Sequence, residues 1–323
     1  MARKYLLPEK GNFYKANLHC HTTVSDGRLT PQQCRDLYRK NGYSILAVTD
    51  HNRYRWHREL SEDGFLMLAA CEMDINQEFK EGEYSRAKTY HLNLYDTCPE
   101  KDGTIKESAV LPNVRYEDME GINRYLERMN RLGFLVCYNH PYWSLQNYDD
   151  YKELEGLFAL EVYNHSCELD GMYGYQPQVY DELLRRGRRI SCLASDDNHN
   201  LYGEGHPMWD SFGGFTMIKA PALDYERVIE ALKKGDFYCS SGPLIHELYL
   251  EGGMLCISCS PVKNIYMMTE GRKCCSVLAA EDEFLTSAEF PVSGKEGYFR
   301  IDIKDERGRH ALSNAWWGDC REN

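Results

Sequence analysis

The chain has 323 residues, and 38 Lys and Arg against 50 Asp and Glu give a net charge of −12 at neutral pH. Hydrophobic residues at 42% and charged residues at 27% are ordinary globular values, which exclude a disordered or fibrous chain. The acidic balance argues against a broad grip on nucleic acid or an anionic membrane, and neither partner is expected. No apolar run approaches the ~18 residues of a membrane helix. The apolar stretch near the N-terminus is too short for a signal peptide, so a soluble, cytoplasmic protein is expected.

Up to residue 241, short apolar strands alternate with helical stretches. Strands are predicted over Lys15–His19, Ser44–Thr49, Phe65–Cys71, Tyr90–Tyr95, Phe134–Asn139, Phe158–Tyr163 and Arg189–Ser195. One helix starts at Pro31 behind the N-cap Thr30, with Cys34, Leu37 and Tyr38 on one face. A longer one is predicted from Asn113 to Leu132, stopping at Gly133. Two more run from Pro177 to about Gly187 and from Asp224 to Gly235. This alternation implies a mostly parallel sheet, open or closed. Residues 242–323 lack helical periodicity and carry short Ile-, Val-, Tyr- and Phe-rich segments, which predict a small antiparallel β domain after the 1–241 α/β domain.

The 13 cysteines are odd in number and sit mostly in apolar runs, as Cys71, Cys137 and Cys192 do, where cysteine acts as a small buried hydrophobe. Cys256 and Cys259 form a C-x-x-C followed by Cys274 and Cys275, a pattern that a zinc ribbon could share. The second pair is adjacent and the first lies in a strand-like run, so free thiols are expected.

The histidines carry the functional signal. His19 and His21 close the first strand, and strand alternation points both imidazoles one way and Cys20 the other. Asp26 follows in Val-Ser-Asp-Gly, His51 ends the second strand in Val-Thr-Asp-His, and Glu72 ends the third in Ala-Ala-Cys-Glu. His91 lies at the start of the fourth, His140 ends the fifth in Asn-His-Pro, and Ser195-Asp196-Asp197-Asn198-His199 ends the seventh. In barrel-like α/β folds the carboxyl ends of the strands gather the active-site residues. Each group alone is unremarkable, a turn or an ordinary buried histidine. Burying all of them together without a cation is costly. Imidazole and carboxylate are the donors divalent metals take when thiolates are absent, and the number of donors exceeds the need of one ion.

The series His-x-His-x4-Asp-Gly, Thr-Asp-His, Cys-Glu, His, Asn-His-Pro and Ser-Asp-Asp-x-His resembles the PHP (polymerase and histidinol phosphatase) superfamily of metal hydrolases over residues 17–241. The segment 231–243, Ala-Leu-Lys-Lys-Gly-Asp-Phe-Tyr-Cys-Ser-Ser-Gly-Pro, looks like the branch of CehA/McbA-type hydrolases. The resemblance implies a distorted, TIM-like (β/α)7 barrel with two or three divalent ions, Mn, Fe or Zn. Carried over by motif, His19, His21, Glu72 and one Asp of Ser-Asp-Asp hold one metal. Glu72 bridges to a second with His91 and His140, and Asp26, His51 and His199 hold a third. The usual motif is Asp-x-His, whereas two aspartates precede Asn198-His199 here. Spacing selects Asp197 and the position directly after the strand-end serine selects Asp196; Asp196 is preferred and both are retained.

The implied activity is a phosphoesterase acting on a small phosphorylated metabolite or nucleotide, with Glu72, Asp196 and His199 acting through a metal-activated hydroxide. Arg53, Lys88, His165 and His206, with Arg55, are candidate substrate-binding groups. The alternative is a carbamate, ester or amide hydrolase on the same site. A third expectation is a non-catalytic metal-binding module, against which the complete ligand set stands. The substrate and the oligomeric state are not encoded in any motif.

Overall fold

The computed structural model describes residues 3–101, 103–272 and 274–318. It begins with β1 (Lys4–Tyr5) and β2 (Asn12–Asn17). Helix α1 (Pro31–Lys40) opens with a reciprocal cap. The Thr30 hydroxyl accepts from the Gln33 N–H at 3.2 Å, and the Gln33 side chain accepts from the Thr30 N–H at 2.9 Å. Next come β3 (Ile45–Ala47), β4 (Leu66–Leu68), β5 (Ala70–Asn76) and β6 (Thr89–Asp96). The single strand expected over 65–71 is thus interrupted at Ala69. There β4 stays parallel to β3, while β5 pairs antiparallel with β6.

After α2 (Gly103–Ala109), helix α3 (Met119–Arg131) is shorter than the 113–132 helix expected from the sequence. Asp118 caps it by accepting from the Gly121 N–H at 2.8 Å, which fixes its start. Its buried Ile122, Tyr125, Leu126 and Met129 recur at helical spacing against β7 (Phe134–Tyr138). Then follow α4 (Tyr148–Tyr151), β8 (Ala159–Asn164), α5 (His165–Leu169), α6 (Pro177–Arg185) and β9 (Ser191–Ser195). The α/β part ends with β10 (Phe215–Ala220), α7 (Tyr225–Lys234) and β11 (Phe237–Ser240). Helix α7 stops at Gly235, which adopts the left-handed conformation at φ 76°.

The remaining strands are β12 (Ile245–Glu251), β13 (Met254–Val262), β14 (Asn264–Thr269), β15 (Cys275–Leu278), β16 (Leu285–Pro291), β17 (Tyr298–Lys304), β18 (His310–Ser313) and β19 (Trp316–Trp317). Every pairing among them is antiparallel. They enclose a second core in which Leu248, Leu255, Ile257 and Cys259 meet Ile265, Ile301 and Ile303. The N-terminal β1 joins this region by pairing with β12, and β18 pairs with β11.

Among the described residues the ladders form three sheets. One runs β1-β12-β13-β16, one runs β15-β14-β17-β18-β11-β10-β2-β3-β4 with β19 on β17, and one runs β5-β6-β7-β8-β9. The mixed α/β class is as expected, but the sheets are not closed into the (β/α)7 barrel that the resemblance implied. The segment joining β5 to β6 holds only the short 3-10 turn Tyr84–Arg86, no crossover helix, and a connection of that kind returns the chain antiparallel. Two isolated parallel bridges, Cys20 to Asn198 and His51 to Glu72, join the sheets where the histidines lie. No helix among the described residues is long and apolar enough to cross a membrane.

Candidate metal centre

The antiparallel course of β6 brings its beginning beside the ends of the parallel strands. His91 therefore faces Asp74 of β5 in register, and its carbonyl accepts from the Asn139 N–H beyond β7 at 3.0 Å. The placement of His91 at a strand start, awkward in an all-parallel barrel, follows directly. His19 and His21 lie beyond β2, with Cys20 turned to the separate core of Cys34 and Tyr38, as alternation requires.

These residues converge. His19 Nε2 and His21 Nε2 are 3.1 Å apart, and each lies 3.0 Å from Asp197 Oδ1. Glu72 is central: His19 Nε2 lies 3.3 Å, His91 Nδ1 3.2 Å and His140 Nε2 3.5 Å from Oε1, with His21 Nε2 3.4 Å and His51 Nδ1 3.2 Å from Oε2. Asp26 stands between His199 Nε2 at 3.5 Å, His21 Nδ1 at 3.6 Å and His51 Nε2 at 3.8 Å. Four overlapping donor groups result: His21–Asp26–His51–His199, His51–Glu72–Asp74–His91, His19–His140–Glu161 and His19–His21–Glu72.

The sequence-level preference for Asp196 is corrected by the structure. Asp196 is buried in another direction, accepting from Tyr38 Oη at 2.6 Å, the Phe212 N–H at 2.8 Å and the Gly214 N–H at 2.7 Å. Burial pushes its carboxyl up to about 6, against those hydrogen bonds. Asp197 has φ 53°, and this left-handed residue ends the strand alternation and lets its carboxylate face the histidines. His140 also carries a positive φ of 25°, so two members of the cluster sit on strained backbone.

Two carboxylates of the cluster were not singled out from the sequence. Asp74 lies two residues beyond Glu72 on β5, on the same face by alternation; its Oδ1 is 3.0 Å from His51 Nδ1. Glu161, an acid inside the apolar run of β8, is fully buried, and its Oε1 lies 2.9 Å from His19 Nδ1. A charged residue within an apolar strand was the available signal. Neutral side chains complete the surround: Asn139 donates to Glu72 Oε1 at 2.8 Å, and Asn164 donates to Asp197 Oδ2 at 3.0 Å and Glu161 Oε2 at 2.9 Å. Ser195 also donates to Glu161.

The electrostatics are mutual. Burial opposes ionisation of Glu72, but the His19, His91 and His51 charges outweigh it and hold its carboxyl well below the usual range. Asp197 is held low likewise, by His19, His21 and His140 against burial. Burial opposes the charging of His51 and His199, yet the surrounding carboxylates raise them to about 10 and about 9.

Would a cation fit? Glu72 Oε2, Asp197 Oδ1 and His91 Nε2 are buried atoms with no hydrogen-bond partner. Orphaned acceptors of this kind, walled by imidazoles, match the oxygen and nitrogen donors that divalent ions take. No cysteine belongs to any of the donor groups among the described residues.

None of the expected substrate-binding residues belongs to a donor group. Lys88 is held by Asp150 at 2.7 Å, and His206 is exposed and stacked on Tyr202. Arg53 and Arg55 are exposed. His165 lies 3.1 Å from Tyr163 Oη at the start of α5. A cavity of about 200 Å³ has Asp197 and His199 in its wall, whereas a larger hollow of about 590 Å³ around Trp56, Cys98 and Tyr225 includes none of the clustered residues.

No family profile matches the sequence, and no curated protein matches it. Among solved structures, the chain is similar to a two-domain protein from Bacteroides vulgatus containing a predicted PHP-like metal-dependent phosphoesterase. The two are 14% identical with a TM-score of 0.46, and the match covers 94% of each chain. It is also similar to a lesion-specific endonuclease from Pyrococcus furiosus at 14% identity and a TM-score of 0.41, covering 69% of this chain and 56% of that one. A third similar structure is an amidohydrolase from Chromobacterium violaceum with bound sulfate and no metal, at 15% identity and a TM-score of 0.31, covering 57% of this chain and 87% of that one.

Proposed function

We propose that the chain is a metal-dependent hydrolase of the PHP type, cleaving a phosphoester of a small molecule. The observation that supports this reading is the convergence of six histidines with Asp26, Glu72, Asp74 and Glu161 in four overlapping donor groups, with Asp197 3.0 Å from His19 and His21 and with buried carboxylate oxygens that lack a hydrogen bond. His19, His21, Glu72 and Asp197 would hold one ion; Asp74, His51, His91 and His140 supply donors for a second that shares Glu72; and Asp26 with His199 extends the set. Divalent ions held there supply Lewis acidity, which acidifies a water nucleophile and offsets charge developing on phosphoryl oxygens.

The chain's own contribution is orientation. Glu161 engages His19 Nδ1, which leaves Nε2 directed at Glu72 and Asp197. The Asp197 carbonyl engages His199 Nδ1 at 3.0 Å, and Ser144 Oγ lies 3.3 Å from His140 Nδ1, so both rings present Nε2 inward. Asp50, buried directly before His51, accepts from the Thr22 N–H and hydroxyl, each at 2.7 Å, and from the Ser25 hydroxyl at 2.7 Å. It thereby fixes the loop that carries Asp26.

A second reading, hydrolysis of a neutral carbamate, ester or amide, is favoured by the cavity beside the centre, whose described lining contains no Lys or Arg. One experiment separates the two. Metal content of the purified protein is measured, then turnover is screened with p-nitrophenyl phosphate, bis-p-nitrophenyl phosphate, nucleoside phosphates and an aryl carbamate after loading with Mn, Fe or Zn. Bound metal with phosphate release, both lost in His19→Ala, is the expected result. Cleavage of the carbamate alone selects the second reading, and retained metal with no turnover selects a binding module.

A further inference from the structure

The cavity beside the centre has a wall chemistry of its own. Trp143, Leu169, Leu201, Tyr202 and Met208 make it largely apolar, and Asp197, whose buried Oδ1 lacks a hydrogen bond, also lines it. Trp143 couples it to the donors, its ring lying 5.2 Å edge-on from His140 and 5.5 Å from His91. Tyr202 is half exposed, its ring stacked on His206 at 4.2 Å with planes 7° apart, so the aromatic surface is already braced. The other carboxylates in the wall are Asp170 and Asp210, and His199 adds an imidazole that faces Asp26. Asp210 accepts from the His199 N–H at 2.7 Å and the Asn200 N–H at 3.1 Å, while Asp170 is exposed.

A carboxylate or second phosphate entering this cavity meets Asp170 and finds no Lys or Arg among the described lining residues, and the imidazole there, His199, already faces Asp26 at 3.5 Å. A neutral ring instead gains stacking on Tyr202 or Trp143 and burial against Leu201 and Met208. The room suits one ring system. We propose that the cavity receives the leaving group and selects an uncharged aromatic ring, which makes the preferred substrate an aryl phosphomonoester without further anionic groups. This rests on the phosphoesterase reading above. In the reaction, water oxygen forms the new bond to phosphorus and the bond from phosphorus to the phenolic oxygen breaks. The phenol departs carrying one proton of that water, and inorganic phosphate carries the other.

The test compares phenyl phosphate, 4-carboxyphenyl phosphate and methyl phosphate on the metal-loaded full chain. Phenyl phosphate is expected to exceed its carboxylated analogue in kcat/KM by about tenfold or more. Tyr202→Ala should raise KM for phenyl phosphate by about tenfold and that for methyl phosphate by much less. Asp170→Lys should narrow the gap between the two aryl esters. Binding of phenol and of 4-hydroxybenzoate, followed by ligand-observed NMR, reads the cavity without turnover. Equal kcat/KM for the two aryl esters, or phenol binding that Tyr202→Ala leaves unchanged, overturns the selectivity while phosphate release still upholds the phosphoesterase reading. No phosphate release from any ester overturns that reading and the substrate class with it, even if phenol binds selectively.

Discussion

Asp196 and Asp197 show how one backbone angle assigns chemistry to adjacent identical side chains. With φ 53° at Asp197, the alternation of β9 stops at Asp196 and cannot be extended by counting from Ser195. Asp197→Asn is expected to reduce bound metal by at least about a hundredfold in affinity, more than loss of a supporting residue. Asp196→Asn should keep the metal but cost about 1–3 kcal/mol of stability, because an amide N–H₂ would oppose one of its hydrogen-bond donors. Elemental analysis and urea unfolding of both variants check the pair; metal loss in Asp196→Asn alone would reverse the assignment. The strand-end histidines were readable because His-x-His and Asn-His-Pro close apolar runs. Glu161 was less so, because an acid in an apolar strand signals burial without naming the imidazole that it meets.

His57 offers a pH dependence outside the donor groups. It is buried with Nε2 unpartnered, and burial holds its imidazole below the ordinary histidine range. The unfolded chain then takes up a proton before the folded one does, so stability present above that range is lost as pH falls through it. His57→Gln should lessen the fall in Tm between about pH 7.5 and about pH 5.5 relative to the parent. An identical fall in both proteins would remove His57 from the account.

At the scale of elements, what the sequence revealed best were helix ends. Thr30, Pro31 and the Asp224–Gly235 pair mark α1 and α7 because caps are local chemistry. Gly235→Ala places a Cβ at φ 76°, 3.3 Å from Asn314 Nδ2, and should cost about 1 kcal/mol, read as a lower urea midpoint with unchanged slope. Strand direction was less legible. Apolar runs give no sign of whether β6 runs with or against β5, and only the missing crossover decides it. The break at Ala69 was hidden for a related reason: both halves of the run are equally apolar, and they part only because they take different partners.

For the molecule as a whole, the antiparallel strands are bound to the α/β part by a buried charge pair. Arg300, 1% exposed, donates from Nε to Asp181 Oδ1 at 2.9 Å and from Nη2 to Oδ2 at 2.8 Å, and Tyr298 Oη adds a bond to the same carboxylate at 3.1 Å. Arg300→Met strands the Asp181 charge and should cost about 3–5 kcal/mol, whereas Arg300→Met combined with Asp181→Leu should recover much of it. Urea unfolding of the single and double variants measures both; a single variant as stable as the parent would show that the pair holds nothing together.

The pairing of β2 with β10, in register at Ala16 and Thr216, joins segments remote along the chain, and β11 with β18 repeats this at Cys239 and Leu312. Neither contact can be nucleated locally, so loop-closure entropy is met before the central strands gain any reward, a topology that folds slowly. His19 and His21 follow directly on β2, and Asp197 and His199 on β9 of the other sheet, so these four meet only where the Cys20–Asn198 bridge joins the two sheets. A metal ion encountering the nascent chain therefore finds scattered histidines rather than a site. An ion held by these donors would load after folding, and its removal by a chelator should lower Tm.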